Sequence, residues 1–162
     1  MIRDAVPEDA AAICRIYNPY IEQTVITFET EPLSVEKMAA RIESYRAHYP
    51  WLVAEENGAV VGYAYAAKWR ERRAYRFAVE SSVYIDQSAQ GRGLGVLLYQ
   101  ELFVRLAAMK IHAVLACISL PNPASIALHE KLGFAKAAHF TEVGWKFDRW
   151  IDVGYWQKLL GQ

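Results

Sequence analysis

Apolar positions along the chain recur with two periods. Alternating or continuous β-branched and aromatic runs predict strands at residues 2–5, 51–55, 59–67, 76–85, 113–118, 140–147 and 152–159. The run at 113–118 is apolar enough to be buried on both faces. Between these runs, apolar residues three and four apart predict helices. Ile13, Ile16 and Tyr17 follow Pro7-Glu8-Asp9, where a proline suits the first turn and acids suit its positive end; Asn18-Pro19 reads as the stop. Ser34 caps a second helix carrying Val35, Met38, Ala39, Ile42 and Tyr45. A third carries Leu94, Leu97, Leu98, Leu102, Leu106 and Met109 on one side. A fourth opens at Asn122-Pro123 and ends at Gly133. Asn57-Gly58 marks a hairpin between the second and third strands. The order β-α-α-β-β-β-α-β-α-β-β predicts one α/β domain over residues 1–162, built on a mixed sheet.

Composition narrows the function classes. The formal net charge is zero, from 18 basic and 18 acidic residues, with no basic tail or stripe, so nucleic acid is not an expected partner. No apolar run is long enough to span a membrane, and Met1-Ile2-Arg3-Asp4 lacks the apolar core of a signal peptide. Cys14 and Cys117 sit among apolar neighbours and are expected to be buried free thiols in a cytoplasmic protein. The histidines show no ligand spacing, and no metal site is expected. Aromatic residues crowd two stretches, 63–77 and 145–156, which reads either as core or as a subunit interface near the C-terminus.

The segment with the most specific chemistry is Gln90-Gly91-Arg92-Gly93-Leu94-Gly95, between a strand and a helix. Glycines let a backbone approach a ligand closely, and N–H groups at a helix start attract an anion, so the segment reads as a diphosphate cradle. A nucleotide P-loop needs lysine and a hydroxyl residue after its last glycine; Val96-Leu97 stand there instead. The dinucleotide fingerprint fails because Gly95 comes one position early. The order Gln-x-x-Gly-x-Gly resembles the acetyl-CoA motif of the GNAT N-acetyltransferases. The stretch from Asn122-Pro123-Ala124-Ser125 through His129 to Gly133-Phe134 is similar to a second block of that superfamily, with His129 at a position often held by tyrosine. Phe28-Glu29-Thr30-Glu31-Pro32, Trp69-Arg70-Glu71-Arg72-Arg73-Ala74-Tyr75, Glu80-Ser81-Ser82-Val83-Tyr84 and Gly144-Trp145-Lys146-Phe147 resemble the phosphinothricin and methionine sulfoximine acetyltransferase group.

That resemblance implies a GNAT fold: a mixed, mostly antiparallel sheet flanked by helices, with splayed central strands that bind acetyl-CoA. It implies acetyl transfer to the α-amino group of a small amino acid such as phosphinothricin, methionine sulfoximine or methionine sulfone, in a homodimer. The alternatives are another amine or peptide N-terminus as acceptor, or a CoA-binding regulatory module without turnover. Glu80 matches the general-base position; its rival readings are an outward-facing carboxylate or a structural ion pair. His129 is either an acid or base, or a residue that lines the site and orients Glu80. Val83, Tyr84 and Ile85 would offer backbone groups to the pantetheine arm. Gln90, Gly91, Arg92, Gly93, Leu94, Gly95 and Val96 would cradle the diphosphate, with Asn122 and Ser125 at the next helix. Phe28, Thr30, Arg72, Arg73, Ala74 and Tyr75 match acceptor-binding positions. Arg76 departs from the acidic residue of some members, which shifts weight to Arg72 and Tyr75. Neither cysteine matches a site position, so direct transfer is expected, with no acetyl-enzyme.

Overall fold

The computed structural model describes residues 1–161. Its elements follow the predicted order: β1 (Ile2–Asp4), α1 (Ala10–Gln23), α2 (Val35–Arg46), β2 (Trp51–Glu56), β3 (Ala59–Lys68), β4 (Ala78–Ile85), α3 (Leu94–Ala108), β5 (Ala113–Ser119), α4 (Pro123–Lys131), β6 (Ala135–Lys146) and β7 (Arg149–Leu159). The strands form one seven-stranded sheet in the order β1-β2-β3-β4-β5-β7-β6. Every neighbouring pair is antiparallel except β4 and β5.

That parallel pair positions the site. It holds for three registers only, Ala78↔Ala113, Val79↔Val114 and Glu80↔Leu115. Beyond them β4 continues to Ile85 on β3, and β5 continues to Ser119 on β7, with no pairing between the two. The sheet therefore opens into a V whose apex lies at Glu80 and Leu115.

Two cores cover the two faces. On one, Leu98, Tyr99, Leu102 and Leu106 of α3 pack on Val79, Val114 and Ala116. On the other, α1 and α2 bring Ile13, Tyr17, Tyr20, Met38 and Ile42 onto Trp51, Val53 and Tyr63. Leu97 and Met109, expected on the packed side of α3, are exposed; the buried stripe follows the four-residue steps from Leu94 to Leu106.

Several expectations change. Helix α1 does not stop at Asn18-Pro19 but runs to Gln23. Tyr20 and Ile21 extend the apolar stripe and are buried, and that burial outweighs the backbone hydrogen bond which proline cannot make. The strands at the C-terminus are longer than predicted. They meet at a tight turn where Phe147 and Asp148 both take positive φ, 53° and 55°, without the Asn-Gly signal that would mark it. Strand β5 is buried throughout on one face and only at Ser119 on the other. Val114, Ala116 and Ile118 face α3, whereas Cys117 faces the opened V and is exposed, so only Cys14 is a buried thiol.

Candidate active site

The glycine segment links β4 to α3. Gly91 and Gly93 take φ of 77° and 78°, which side chains disfavour, and β-carbons there would meet nothing within 4 Å. These glycines therefore serve backbone conformation. Gly95 serves packing, since a β-carbon would lie 3.3 Å from Leu128 of α4. Gly93 is the N-cap of α3 and has no side chain to satisfy its first N–H groups. These donors border a groove of about 570 Å³ between α3, α4 and the open edge of β4. Val83, Tyr84, Ile85, Gln90, Gly91, Gly93, Leu94, Gly95, Val96, Asn122 and Ser125 all line it.

Three details refine that set. Gln90 donates from Nε2 to the Tyr20 hydroxyl (2.8 Å), which in turn donates to the Ile85 carbonyl (2.6 Å), so Gln90 braces the loop against α1. Arg92, expected as a charge contact in the cradle, does not line the groove. Its guanidinium bonds Glu56 and the Ser88 carbonyl, each at 3.0 Å. Lys131 lines the far wall instead. It is a cation three residues beyond Leu128 on α4, and its helical spacing could have revealed it. Asn122 caps α4 as predicted, accepting from Ser125 N at 3.2 Å.

Strand alternation sorts the remaining candidates. Ser81 and Val83 point toward α3 and α4; Glu80, Ser82 and Tyr84 point the other way. His129 therefore lies on the cofactor-groove face and Glu80 on the opposite one. No hydrogen bond joins them: the His129 nitrogens are taken by Ser125 and Tyr99.

His129 is 3% exposed and fully engaged. Its Nδ1 lies 2.7 Å from the Ser125 carbonyl, which can only accept, so Nδ1 carries the proton. Its Nε2 must then accept from the Tyr99 hydroxyl at 2.9 Å, and Tyr99 accepts from Ser81 Oγ at 3.1 Å. Burial lowers the His129 pKa and keeps the ring neutral; the Ser125 carbonyl opposes that shift. The chain Ser81–Tyr99–His129 runs beneath the V, where a small cavity of about 60 Å³ is lined by Ser81, Tyr99, Cys117 and His129. Tyr99 escaped the sequence reading because it sits among the apolar residues of α3 with no motif around it.

Glu80 lines a cavity of about 190 Å³ with Phe28, Ser82, Tyr84, Cys117 and Val153. Burial raises its pKa, while the Arg70 cation and the Tyr155 hydroxyl pull it down. Arg70 lies over the Trp69 ring, whose edge meets Tyr155. Among the acceptor residues expected from sequence, only Phe28 reaches this cavity. Thr30, Arg72, Arg73, Ala74 and Tyr75 are exposed and line neither cavity nor groove; Arg73–Tyr75 form a short 3₁₀ turn on the surface. Cys117, expected outside any site, lies in the cavity wall because the splay leaves its face of β5 uncovered. Among the described residues no group of metal-ligating side chains occurs.

This geometry has close parallels. The acetyltransferase (GNAT) domain family matches residues 2–154. The chain belongs to the GNAT acetyltransferases. It is 43% identical over 157 residues to a phosphinothricin N-acetyltransferase of Streptomyces viridochromogenes, covering 97% of this chain and 86% of the relative. It is 38% identical to an L-methionine sulfoximine/L-methionine sulfone acetyltransferase of Salmonella typhimurium, covering 99% and 95%. The crystal structure of a GNAT phosphinothricin acetyltransferase from Sinorhizobium meliloti, in complex with acetyl-CoA, superposes with a TM-score of 0.95 at 41% identity, covering 99% and 88%. The GNAT groove suits acetyl-CoA on its own features: uncapped N–H donors for the diphosphate, Lys131 for further negative charge, and a free strand edge for the amide-bearing pantetheine arm.

Proposed function

We propose that this GNAT enzyme transfers the acetyl group of acetyl-CoA to the α-amino group of a small amino acid, with phosphinothricin, methionine sulfoximine or methionine sulfone as acceptors. One observation carries the reading. Glu80, a half-buried carboxylate at the apex of the splay, faces a 190 Å³ cavity on the side of the sheet away from the cofactor groove. The two reactants then approach the V from opposite faces and meet where β4 and β5 part.

An amino acid arrives as its ammonium. Glu80, its pKa raised by burial, takes that proton directly or through a water. The freed amine attacks the thioester carbonyl, whose developing negative charge is met by backbone N–H groups of the open β4 edge. The C–S bond then breaks with its electron pair going to sulfur, and the second proton lost by the nitrogen passes to the departing thiolate, directly or through a water. His129 is neutral with both nitrogens occupied, which favours a role in lining the site over a role as acid. Phe28 closes the acceptor cavity, and its modest volume favours a free amino acid over a peptide.

The protein is further inferred to be a single functional domain over residues 1–162, to act in the cytoplasm, where acetyl-CoA is made, and to form a homodimer. Support comes from two unpaired thiols and from the exposed aromatic hairpin of β6 and β7. No described helix is long and apolar enough to cross a membrane. The test is thiol release from acetyl-CoA against phosphinothricin, methionine sulfoximine, methionine sulfone, glutamate, other amino acids and short peptides. Saturable turnover on the first three is expected. Turnover on peptides alone would discard the acceptor assignment, and tight acetyl-CoA binding without turnover would favour a regulatory module.

A further inference from the structure

Phe28 owes its position to the far edge of the sheet. Along β6, Trp145 is exposed, while Gly144 and Lys146 on either side of it are buried. The Phe28 ring lies directly on the Gly144 backbone. A β-carbon at 144 would stand 2.5 Å from Phe28 Cε2 and closer still to Cζ. Gly144 is not among the glycines with positive φ, so its backbone is open to any residue, and the demand for glycine there is space for that ring.

Two residues on, Lys146 is 4% exposed and donates from Nζ to the Thr27 carbonyl at 2.8 Å. The chain on either side of Phe28 is tied down as well. Thr27 Oγ1 bonds the Tyr17 hydroxyl at 2.7 Å, and Glu29 pairs with Arg41 at 2.6 Å. The main chain at Phe28 is thus clamped, and the ring is placed by shape alone.

We propose that Gly144 and Lys146 are positioning residues that set the acceptor range of the enzyme by fixing Phe28 in the wall of the cavity lined by Glu80. The proposal rests on the reading of that cavity as the acceptor site. Carbon atoms in contact sit about 3.5–4.0 Å apart, so a methyl group at 144 must drive the ring away by about 1 Å or more. The clamped main chain leaves the ring only its own rotation to answer with, and the cavity wall moves.

The experiment measures KM for methionine sulfone and for acetyl-CoA in the wild type, Gly144→Ala, Phe28→Ala and the double variant. Gly144→Ala is expected to raise the acceptor KM about tenfold and to leave the acetyl-CoA KM within twofold. In the Phe28→Ala background there is no ring to displace, and the same substitution should change the acceptor KM less than twofold. Equal effects of Gly144→Ala in both backgrounds, or a parallel rise in the acetyl-CoA KM, would overturn the proposal while leaving the acceptor site in place. An active Phe28→Ala enzyme with an unchanged acceptor profile, or a wild type without turnover on methionine sulfone, would sink the acceptor-site reading and the proposal with it. Should Gly144→Ala fail to fold, Lys146→Met carries the test. It keeps the buried volume but releases the Thr27 carbonyl, and should raise the acceptor KM several-fold with acetyl-CoA affinity unchanged; an unchanged acceptor KM overturns it.

Discussion

Glu80 sits where function and stability oppose each other. Its carboxyl is half-buried, and burial raises its pKa above the usual 4.5. A carboxyl whose folded pKa exceeds its unfolded value favours the fold when protonated, and that contribution is lost as pH rises through the folded pKa. At neutral pH the ionised Glu80 therefore costs stability. Glu80→Gln should raise Tm at pH 7.5 by calorimetry while lowering kcat about 10²–10⁴-fold, the usual worth of a general base, with acetyl-CoA binding retained. Full turnover in this variant would remove Glu80 from the mechanism. His129 has the opposite sign. Its folded pKa lies below 6.5, so it contributes stability above that pH and loses it as pH falls. The difference in Tm between the wild type and His129→Gln, followed from pH 7.5 to 5, should shrink on acidification; a constant difference would mean the ring is not held neutral by its surroundings. Glu80 was singled out by the family resemblance, and the structure puts it at the apex of the splay, in a cavity wall. Tyr99 was not singled out, because a hydroxyl on a buried helical face looks like one more aromatic of the core.

At the scale of elements, the glycine loop shows how far local pattern reaches. Its place between strand and helix followed from the glycines and the apolar runs that flank them, whereas Val83, Tyr84, Ile85, Asn122 and Ser125, which line the groove beside it, were expected only from the family resemblance. Arg92 does not line the groove, because its guanidinium is paired with Glu56 at the end of β2, more than thirty residues away in sequence. The two kinds of residue should separate by calorimetric titration with acetyl-CoA. Gly93→Ala forces a side chain into the left-handed region at a cost of about 1–2 kcal/mol, and should weaken binding about tenfold if the loop relaxes to escape it. Arg92→Ala, which removes a surface pair with Glu56, should change binding less than twofold. A large loss from Arg92→Ala would mean the guanidinium leaves Glu56 when the diphosphate arrives. The splay itself was expected only from resemblance. Nothing in the run at 113–118 tells which face will lose its cover, and Cys117 was misplaced for that reason.

At the scale of the whole molecule, the aromatic residues near the C-terminus divide into two populations that composition could not separate. Trp156 is core, whereas Trp145 and Trp150, packed edge to face, are more than half exposed, with Phe147, Phe140 and the aliphatic Val143 exposed nearby. These residues lie on β6 and β7 and the turn between them, at the edge of the sheet where β6 has one free side. An apolar aromatic patch beside an open strand edge is a liability in a monomer and an asset in a symmetric dimer. The opposite face of the same β6 carries Gly144 and Lys146, so a partner resting on the tryptophans would stiffen the strand that holds Phe28. Replacing both Trp145 and Trp150 by serine should convert a dimer to a monomer in sedimentation velocity. It should also raise the acceptor KM with little change in acetyl-CoA affinity, because the cofactor groove lies between α3 and α4, across β4, β5 and β7 from this edge. A wild type that sediments as a monomer at all concentrations would assign the patch to another partner. A monomeric variant with unaltered acceptor kinetics would keep the interface and uncouple it from the Phe28 loop.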